Sequence, residues 1–179
     1  MRGKLLILGL LLALLSLIPL EAAGQEVYVA KVTGIIDPFV ARFVRQAIDA
    51  ASEGGAICLI IELDTPGGTD TAMREIVQNI MNSPVPVVVY VSPQGARAAS
   101  AGLFIAMAAH ITAMAPGTNI GAAHPVGIGE PITGTLETKI TQDAAAYIRA
   151  IAQERGRNAE WAEQAVRESF SATAQEALE

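Results

Sequence analysis

The sequence predicts a single α/β domain built around a parallel sheet. Apolar, β-rich segments alternate with segments of helical periodicity along most of the chain, which is the pattern of successive βαβ units. Residues 57–63 form a continuous apolar run interrupted only by Glu62, as in a strand covered on both faces. With 179 residues, the chain has the length of one domain with a substantial core. We therefore expect a parallel sheet with flanking helices.

Short sequence patterns predict the strands and helices of the first half of the chain. Residues 27–33 are rich in strand formers and end at Gly34, which predicts the first strand. Asp37 followed by Pro38 is a typical cap and first position of a helix that extends to about Ser52. The same reasoning predicts a strand at 57–63, a helix at 69–81 and a strand at 84–91.

The second half is predicted to be mainly helical. Asn158 is a candidate cap for one of its helices. The expected elements are a helix that ends at 109, a strand at 111–115, a partly extended segment at 119–126, a mobile glycine-rich stretch at 127–134, and helices at 136–156, 159–169 and 173–178.

The N-terminus has the pattern of a secretory signal peptide. Arg2 and Lys4 precede an apolar run at residues 5–20, and small residues follow it. Cleavage after Gly24 divides the chain into a signal peptide at 1–24 and a domain at 25–179. The run is shorter than the about 20 residues of a spanning helix. Whether the leader is cleaved or kept as an anchor, we expect the domain to be exported.

Composition argues against several kinds of partner and cofactor. The net charge is −6 and the chain has no basic stripe, so we expect no nucleic-acid partner. The single cysteine, Cys58, excludes an intrachain disulfide framework and lies in a strand-like run. His110 and His124 have no Cys or His partner at metal-ligand spacing. We therefore expect no metal and no cofactor.

Ser100 is the candidate nucleophile. It lies among very small residues, directly before an apolar stretch that predicts a buried helix. A hydroxyl at a helix N-terminus lies near free N–H groups and the positive end of the helix dipole, which favour developing negative charge. Taken alone, however, the stretch is more typical of tight helix packing.

A pair of glycines follows the buried strand at 57–63. Gly67 and Gly68 come at the carboxyl end of this strand, where open α/β sheets place their ligands. If this turn meets the helix of Ser100, an N–H of Gly67 or Gly68 and the N–H of Ala101 would form an oxyanion hole. An ordinary strand-to-helix turn is the alternative interpretation.

A catalytic serine needs a base, and the sequence offers two candidates. His124 has the side chain most often used. Lys139 is a candidate if its environment favours the neutral amine, because an ammonium group accepts no proton. Asp143, one helical turn from Lys139, would oppose that role if it faced the lysine. The residues alone leave the choice open.

Three motifs together resemble the NfeD-type membrane-bound serine proteases, the stomatin-operon partners of the ClpP/crotonase superfamily. The motifs are Asp64-Thr-Pro-Gly-Gly, Ala99-Ser-Ala-Gly and Asn119-Ile-Gly-Ala-Ala-His-Pro. The resemblance implies Ser100 as nucleophile, Lys139 as base and Gly67-Gly68 as oxyanion glycines. In ClpP-type relatives the base is a histidine near the place of His124, which keeps a Ser/His alternative open.

The resemblance also implies a ClpP/crotonase-like fold and an activity. The expected activity is that of a membrane-associated serine endopeptidase that cleaves apolar segments of membrane proteins such as stomatin-like partners. Relatives assemble as dimers or larger rings, so we also expect this chain to self-associate. The family's C-terminal membrane and β-barrel domains are absent from this sequence. The alternatives are a catalytically silent scaffold partner of a membrane protein, and an acyl-CoA enzyme of the crotonase type. An export signal argues against the latter.

Overall fold

A computed structural model describes residues 26–127 and 129–178, so the predicted signal peptide lies outside the described residues. The described strands are β1 (Val27–Thr33), β2 (Cys58–Asp64), β3 (Val87–Val91), β4 (Arg97–Ala99), β5 (Ile111–Met114), β6 (Asn119–Gly121) and β7 (Ser171–Thr173). The described helices are α1 (Pro38–Glu53), α2 (Asp70–Met81), α3 (Ala101–Ala108), α4 (Gly134–Glu154) and α5 (Ala159–Arg167). Most predicted elements are confirmed to within a few residues.

The main sheet contains β1, β2, β3 and β5 in that order, and every pairing is parallel. This confirms the predicted parallel α/β architecture. Strand order follows chain order, so right-handed crossovers carry α1, α2 and α3 to the same face of the sheet. Residues pointing to that face, such as Leu59, Ile61 and Val89, are fully buried beneath the helices.

The expectation that β2 is covered on both faces is wrong. Leu59, Ile61 and Leu63 are buried, whereas the alternate residues Ile60 and Glu62 are only partly buried. The reason is topological, because consecutive crossovers of one hand place all three connecting helices on one side. In this fold, the continuous apolar run at 57–63 therefore belongs to a sheet that has helices on only one face among the described residues.

A second sheet, formed by β4, β6 and β7, adjoins the carboxyl end of β2. β4 pairs with β6 in parallel, and β6 pairs with β7 in antiparallel orientation. Thr65, just after β2, joins the sheets by donating its N–H to Arg97 O over 2.8 Å. The predicted helix at 173–178 is wrong, because β7 occupies Ser171–Thr173 and turns follow it. Pairing with β6, at least 50 residues away in sequence, makes this segment a strand.

Helix α3 is the buried centre of the domain, and all of its residues are inaccessible or nearly so. Two arginines from the turn after α4 cap its C-terminal carbonyls. Arg155 Nε donates to Ala108 O over 2.7 Å, and Arg157 donates to Ala109 O over 2.9 Å. Cations at a helix C-terminus also interact favourably with the helix dipole. The helix that begins next to Ser100 is thus anchored at its far end.

His110 makes the stability of this region depend on pH. Val87 donates its N–H to His110 Nδ1 over 3.1 Å, which requires an unprotonated nitrogen. Burial lowers the pKa of His110, and the positive charge of Arg155 lowers it further. The unfolded chain therefore binds this proton more readily than the folded chain, so stability is complete above about pH 6.5 and declines as the pH falls below it.

The substitution His110→Asn, which keeps an acceptor near Val87 but does not titrate, is expected to flatten the decline in unfolding free energy between about pH 7 and 5. Urea unfolding at several pH values measures this slope. Below about pH 4.3, where carboxylates become protonated, the unfolding free energy falls more steeply, and this fall should be the same in the wild type and in His110→Asn. An unchanged slope between about pH 7 and 5 would show that another group is responsible.

Candidate active site

Ser100 occupies the turn between β4 and α3 in a strained backbone conformation. Its φ of 53° and ψ of −115° lie outside the regions that a residue with a side chain prefers. The turn is held from both sides, because Ser100 donates its N–H to Gly121 O over 3.0 Å and accepts from the Leu103 N–H over 3.0 Å. Such strain costs about 1–3 kcal/mol and concentrates at functional sites.

The Gly67-Gly68 turn is shaped by the buried hydroxyl of Thr65. Thr65 is fully inaccessible, and its Oγ1 accepts from the Gly67 N–H over 3.0 Å and donates to Gly67 O over 3.2 Å. Gly67 has a φ of 126°, which a residue with a side chain rarely adopts. The N–H of Gly67 is therefore used inside the turn.

This turn lies directly against Ser100. A Cβ placed on Gly67 would be 2.7 Å from Ser100 Cβ and 3.1 Å from its Oγ. A Cβ on Gly68 would be 2.0 Å from Ile36 O, on the segment after β1. Both positions thus require glycine, and the structure brings together the two loops that the sequence singled out.

Two backbone N–H groups near Ser100 are available. Ala101 is the first residue of α3, where N–H groups have no intrahelical partner. Gly68 N–H donates none of the hydrogen bonds found within residues 26–127 and 129–178, and Gly68 is exposed. Since Gly67 N–H is engaged by Thr65, Gly68 and Ala101 are the pair that can receive an oxyanion.

Ser100, Ala101, Gly68 and Lys139 line one cavity of ≈ 590 Å³. Lys139 enters from α4 and is exposed. A cavity of this volume lies within the range of pockets that bind small molecules. Most of the remaining wall is apolar, with contributions from Met73, Phe104, Pro125, Val126, Ile132 and Ile140.

A charged cluster lies on another wall of this cavity. Arg74 Nε bonds Asp70 over 2.9 Å, a second Arg74 nitrogen bonds Asp143, and the guanidinium lies 4.3 Å from the Tyr147 ring centroid. Partial burial lowers the pKa of Arg74, but the hydrogen bond and charge of Asp70 outweigh it, so the pKa is raised. Asp143 therefore pairs with Arg74, and Lys139 belongs to none of the ion pairs among the described residues.

His124 is held by contacts outside this cavity. Its Nδ1 lies 3.0 Å from Val166 O and its Nε2 lies 3.8 Å from Glu137 Oε1. His124 is also absent from the cavity lining, whereas Lys139 is part of it. Within the described part of the chain, no group of three or more His, Cys, Asp or Glu side chains is arranged to hold a metal ion.

Residues 26–178 match the family model of the NfeD1b N-terminal domain. The chain belongs to this family. It is 45% identical over 175 residues to the membrane-bound protease PH1510 of Pyrococcus horikoshii, covering 94% of this chain and 40% of that protein. It is 35% identical over 103 residues to the Bacillus subtilis membrane protein NfeD1b, covering 58% of this chain and 23% of that protein. The chain thus spans less than half the length of either relative.

Solved structures similar to this chain have the same fold. A lysine-to-alanine mutant of the 1510-N membrane-bound stomatin-specific protease, in complex with a substrate peptide, superposes with a TM-score of 0.83 at 46% identity, covering 87% of this chain and 72% of that one. A serine-to-alanine mutant gives 0.81 at 45% identity, covering 87% and 76%. ClpP1 from Listeria monocytogenes gives 0.65 at 20% identity, covering 83% and 84%. The predicted ClpP-like fold is confirmed.

Sequence reasoning did not single out Thr65 or Arg74. Thr65 had a detectable signal, because it directly precedes Pro-Gly-Gly at the end of a buried strand. No sequence pattern pointed to Arg74, because a single arginine in a predicted amphipathic helix looks like any solvent-exposed charged residue. Its partner Asp143 lies 69 residues away, so only the tertiary structure reveals the pair.

Gly67→Ala is expected to destabilise the domain by about 2–4 kcal/mol, because a positive φ and a collision with Ser100 both oppose a side chain. Gly34→Ala is the matched control, since Gly34 also has a positive φ but open space around it. Urea unfolding should show the smaller loss for Gly34→Ala. Adding Ser100→Gly to Gly67→Ala should recover part of the loss, and no recovery would contradict the contact.

Proposed function

We propose that this domain is a serine endopeptidase with a Ser/Lys dyad. Ser100 is the nucleophile, Lys139 the general base, and the N–H groups of Gly68 and Ala101 the oxyanion hole. The observation that carries the proposal is the strained Ser100, which opens into an apolar cavity also lined by Lys139 and Gly68. The relatives named as proteases, one solved with a serine replaced and one with a lysine replaced, support the same pair.

In the proposed reaction, Ser100 Oγ attacks the scissile carbonyl carbon while Lys139 Nζ accepts its proton. The carbonyl oxygen becomes an oxyanion between the N–H groups of Gly68 and Ala101, where one such donor contributes about 3–4 kcal/mol. Lys139 then gives the proton to the leaving amine, and an acyl-enzyme remains on Ser100. Water, deprotonated by Lys139, releases the acyl group by the reverse steps.

In the proposed reaction Lys139 accepts the proton as a free amine, so a carboxylate partner would oppose its role. Asp143, the nearest acidic residue along α4 on the C-terminal side, pairs with Arg74, so its charge is already compensated. Lys139 is exposed in the free domain, and an apolar segment bound across the cavity would exclude water from the site.

The proposed substrates are apolar segments of membrane proteins such as stomatin-like partners. The mostly apolar wall of the cavity and the stomatin specificity named for the 1510-N relative support this. We further propose an exported, membrane-associated protein that forms homo-oligomers, most simply dimers. Among the described residues, no helix is sufficiently long and apolar to cross a bilayer.

We place Lys139 rather than His124 in the dyad. The ring of His124 is occupied by Val166 O on one side and faces Glu137 on the other, which supports a role in holding α5 near the loop after β6. A catalytic histidine would need one ring nitrogen directed at Ser100. A catalytically silent scaffold would need neither residue. The following experiment distinguishes a Ser/Lys peptidase, a Ser/His peptidase and such a scaffold.

Ser100→Ala and Lys139→Ala are each expected to lower kcat by at least about 10³-fold, because the nucleophile or its base is lost. His124→Ala and the control Lys31→Ala should keep wild-type kcat within a few-fold. Hydrolysis of an apolar reporter peptide measures these rates. Loss of activity in His124→Ala with Lys139→Ala still active would favour the Ser/His alternative.

A serine-directed fluorophosphonate tests the scaffold alternative independently. The wild-type domain should be labelled on Ser100, and the Ser100→Ala variant should not. A folded domain that resists labelling and cleaves no peptide while still binding an apolar partner would identify a scaffold.

Thr65→Val is expected to lower kcat by about 10-fold or more with little change in KM, because the hydroxyl that fixes the Gly67-Gly68 turn is lost. Thr65→Ser keeps the hydroxyl and should retain most of the activity. Peptide affinity in a Ser100→Ala background should be unchanged by Thr65→Val. A loss of affinity equal to the loss of kcat would mean that Thr65 supports the whole cavity.

A further inference from the structure

The helix that carries Lys139 is packed into the domain over only half of its length. All the buried residues of α4 belong to its C-terminal half, and they are Ala144, Ala145, Ile148, Ile151 and Ala152. Residues 134–143 include no buried residue. At about 1.5 Å per residue, this N-terminal half of α4 extends over about 15 Å. Lys139 lies in the middle of it, so little buried apolar surface fixes the position of this lysine.

Polar contacts hold the N-terminal half of α4 from the side of α5 and the loop after β6. Arg167 on α5 donates to Gln142 Oε1 over 2.8 Å. His124 Nε2, in the loop after β6, lies 3.8 Å from Glu137 Oε1. Both contacts lie on the side of α4 away from the ion pair that Asp143 makes with α2.

Arg74 holds α4 from the side of the cavity. Its guanidinium pairs with Asp143 and lies 4.3 Å from the ring centroid of Tyr147, two residues on successive turns of α4. Helix α2 packs mainly on α1 and α3, so Arg74 is the main link from α2 to α4 among the described residues. Asp70, on the same helix, accepts from Arg74 Nε over 2.9 and 3.1 Å and directs the side chain.

Asp143 and Lys139 lie on one stripe of α4. They are one helical turn apart, and both line the cavity that Ser100 lines. A bond that draws Asp143 toward α2 therefore keeps Lys139 on the cavity side of the helix. Helix α2 begins just after Gly68 and its capping residue. Arg74 thus connects the turn of the proposed oxyanion hole to the helix of the proposed base.

We propose that Arg74 is a positioning residue, which docks the N-terminal half of α4 on α2 through Asp143 and so holds Lys139 at the cavity of Ser100. This role rests on the proposed function, because it requires Lys139 to be the base. Arg74 itself contacts no reacting atom. The side chains of Arg74 and Asp143 are 30% and 69% exposed, so dissolved salt screens their attraction. The rate of the proposed reaction therefore depends on ionic strength.

Asp143→Ala is expected to lower kcat by about 3–10-fold at low salt, because the docking contact is lost. KM should change by less than about 2-fold, since most of the apolar cavity wall lies outside α4. Asp143→Glu keeps the carboxylate and should retain most of the activity. Hydrolysis of the apolar reporter peptide measures both constants. If Asp143 acted only through its charge on Lys139, its removal would raise kcat instead.

Salt and a double variant separate docking from a direct charge effect. The Debye length falls from about 10 Å at about 0.1 M salt to about 3 Å at about 1 M, so the kcat of the wild type should approach that of Asp143→Ala, which should itself change little. Arg74→Ala, which also loses the contact with Tyr147, should lower kcat at least as much as Asp143→Ala. The double variant Arg74→Ala/Asp143→Ala should stay low. Recovery of kcat in the double variant would show that a released carboxylate, rather than lost docking, reduces the rate.

Arg149→Ala is the matched control. Arg149 pairs with Glu163 over 2.5 Å, so it also joins α4 to another helix, but it does not line the cavity. Its removal should leave kcat within about 2-fold of the wild type. Hydrogen exchange gives a readout that needs no peptidase activity. Amides 138–142 should exchange at least about 3-fold faster in Asp143→Ala than in the wild type or Arg149→Ala, whereas amides 148–152 should exchange equally in all three.

Three results would overturn the role of Arg74. These are a kcat of Asp143→Ala equal to or above that of the wild type at low salt, recovery of kcat in the double variant, and amide exchange at 138–142 that Asp143→Ala leaves unchanged. A wild-type domain that cleaves no peptide would contradict the proposed function. Faster exchange in Asp143→Ala would then still establish that Arg74 docks α4, so the two failures are distinguishable.

Discussion

The close approach of Gly67 to Ser100 is the contact on which the candidate active site depends. An atom on the α-carbon of Gly67 would collide with Ser100, so the turn after β2 and the turn before α3 meet backbone to backbone. Gly68 and Ala101, whose N–H groups are proposed to form the oxyanion hole, line the same cavity as Ser100. Thr65 fixes one turn with its hydroxyl, and Gly121 fixes the other through its carbonyl oxygen. The strain at Ser100 is thus sustained by two independent anchors.

The same topology that builds this site leaves one face of the main sheet without a covering helix among the described residues. Strands added in chain order with crossovers of one hand bring the carboxyl ends of β1, β2 and β3 to one edge. The hydrogen bond from Thr65 N–H to Arg97 O then joins the end of β2 to β4, which leads to Ser100. The helices then pack on one face, and α3 is completely buried among them. The consequence is an apolar open face on the other side. The geometry of the site and the exposed apolar face of the sheet are therefore two results of one folding pattern.

The ion pairs beside the cavity involve Arg74 and, among the described residues, not Lys139. Arg74 bonds two carboxylates and packs on the ring of Tyr147, which in turn stacks on Phe104 with ring centroids 6.0 Å apart. This cluster connects α2, α3 and α4 beside the cavity. It also pairs Asp143, which lies one helical turn from Lys139, with Arg74. The ion pairs of the cavity wall thus both position α4 and leave Lys139 without a carboxylate partner among the described residues.

The sequence by itself determined the parallel α/β architecture, because alternating periodicities and caps such as Asp37 are local signals that tertiary contacts reinforce. It also identified the two loops that meet, since small residues and paired glycines are needed wherever backbones approach closely. The tertiary structure alone decided which face of the sheet is open, that 171–173 is a strand, and that Asp143 turns to Arg74 and His124 to Val166. These outcomes depend on residues more than 40 positions apart, and local periodicity carries no information about such pairings.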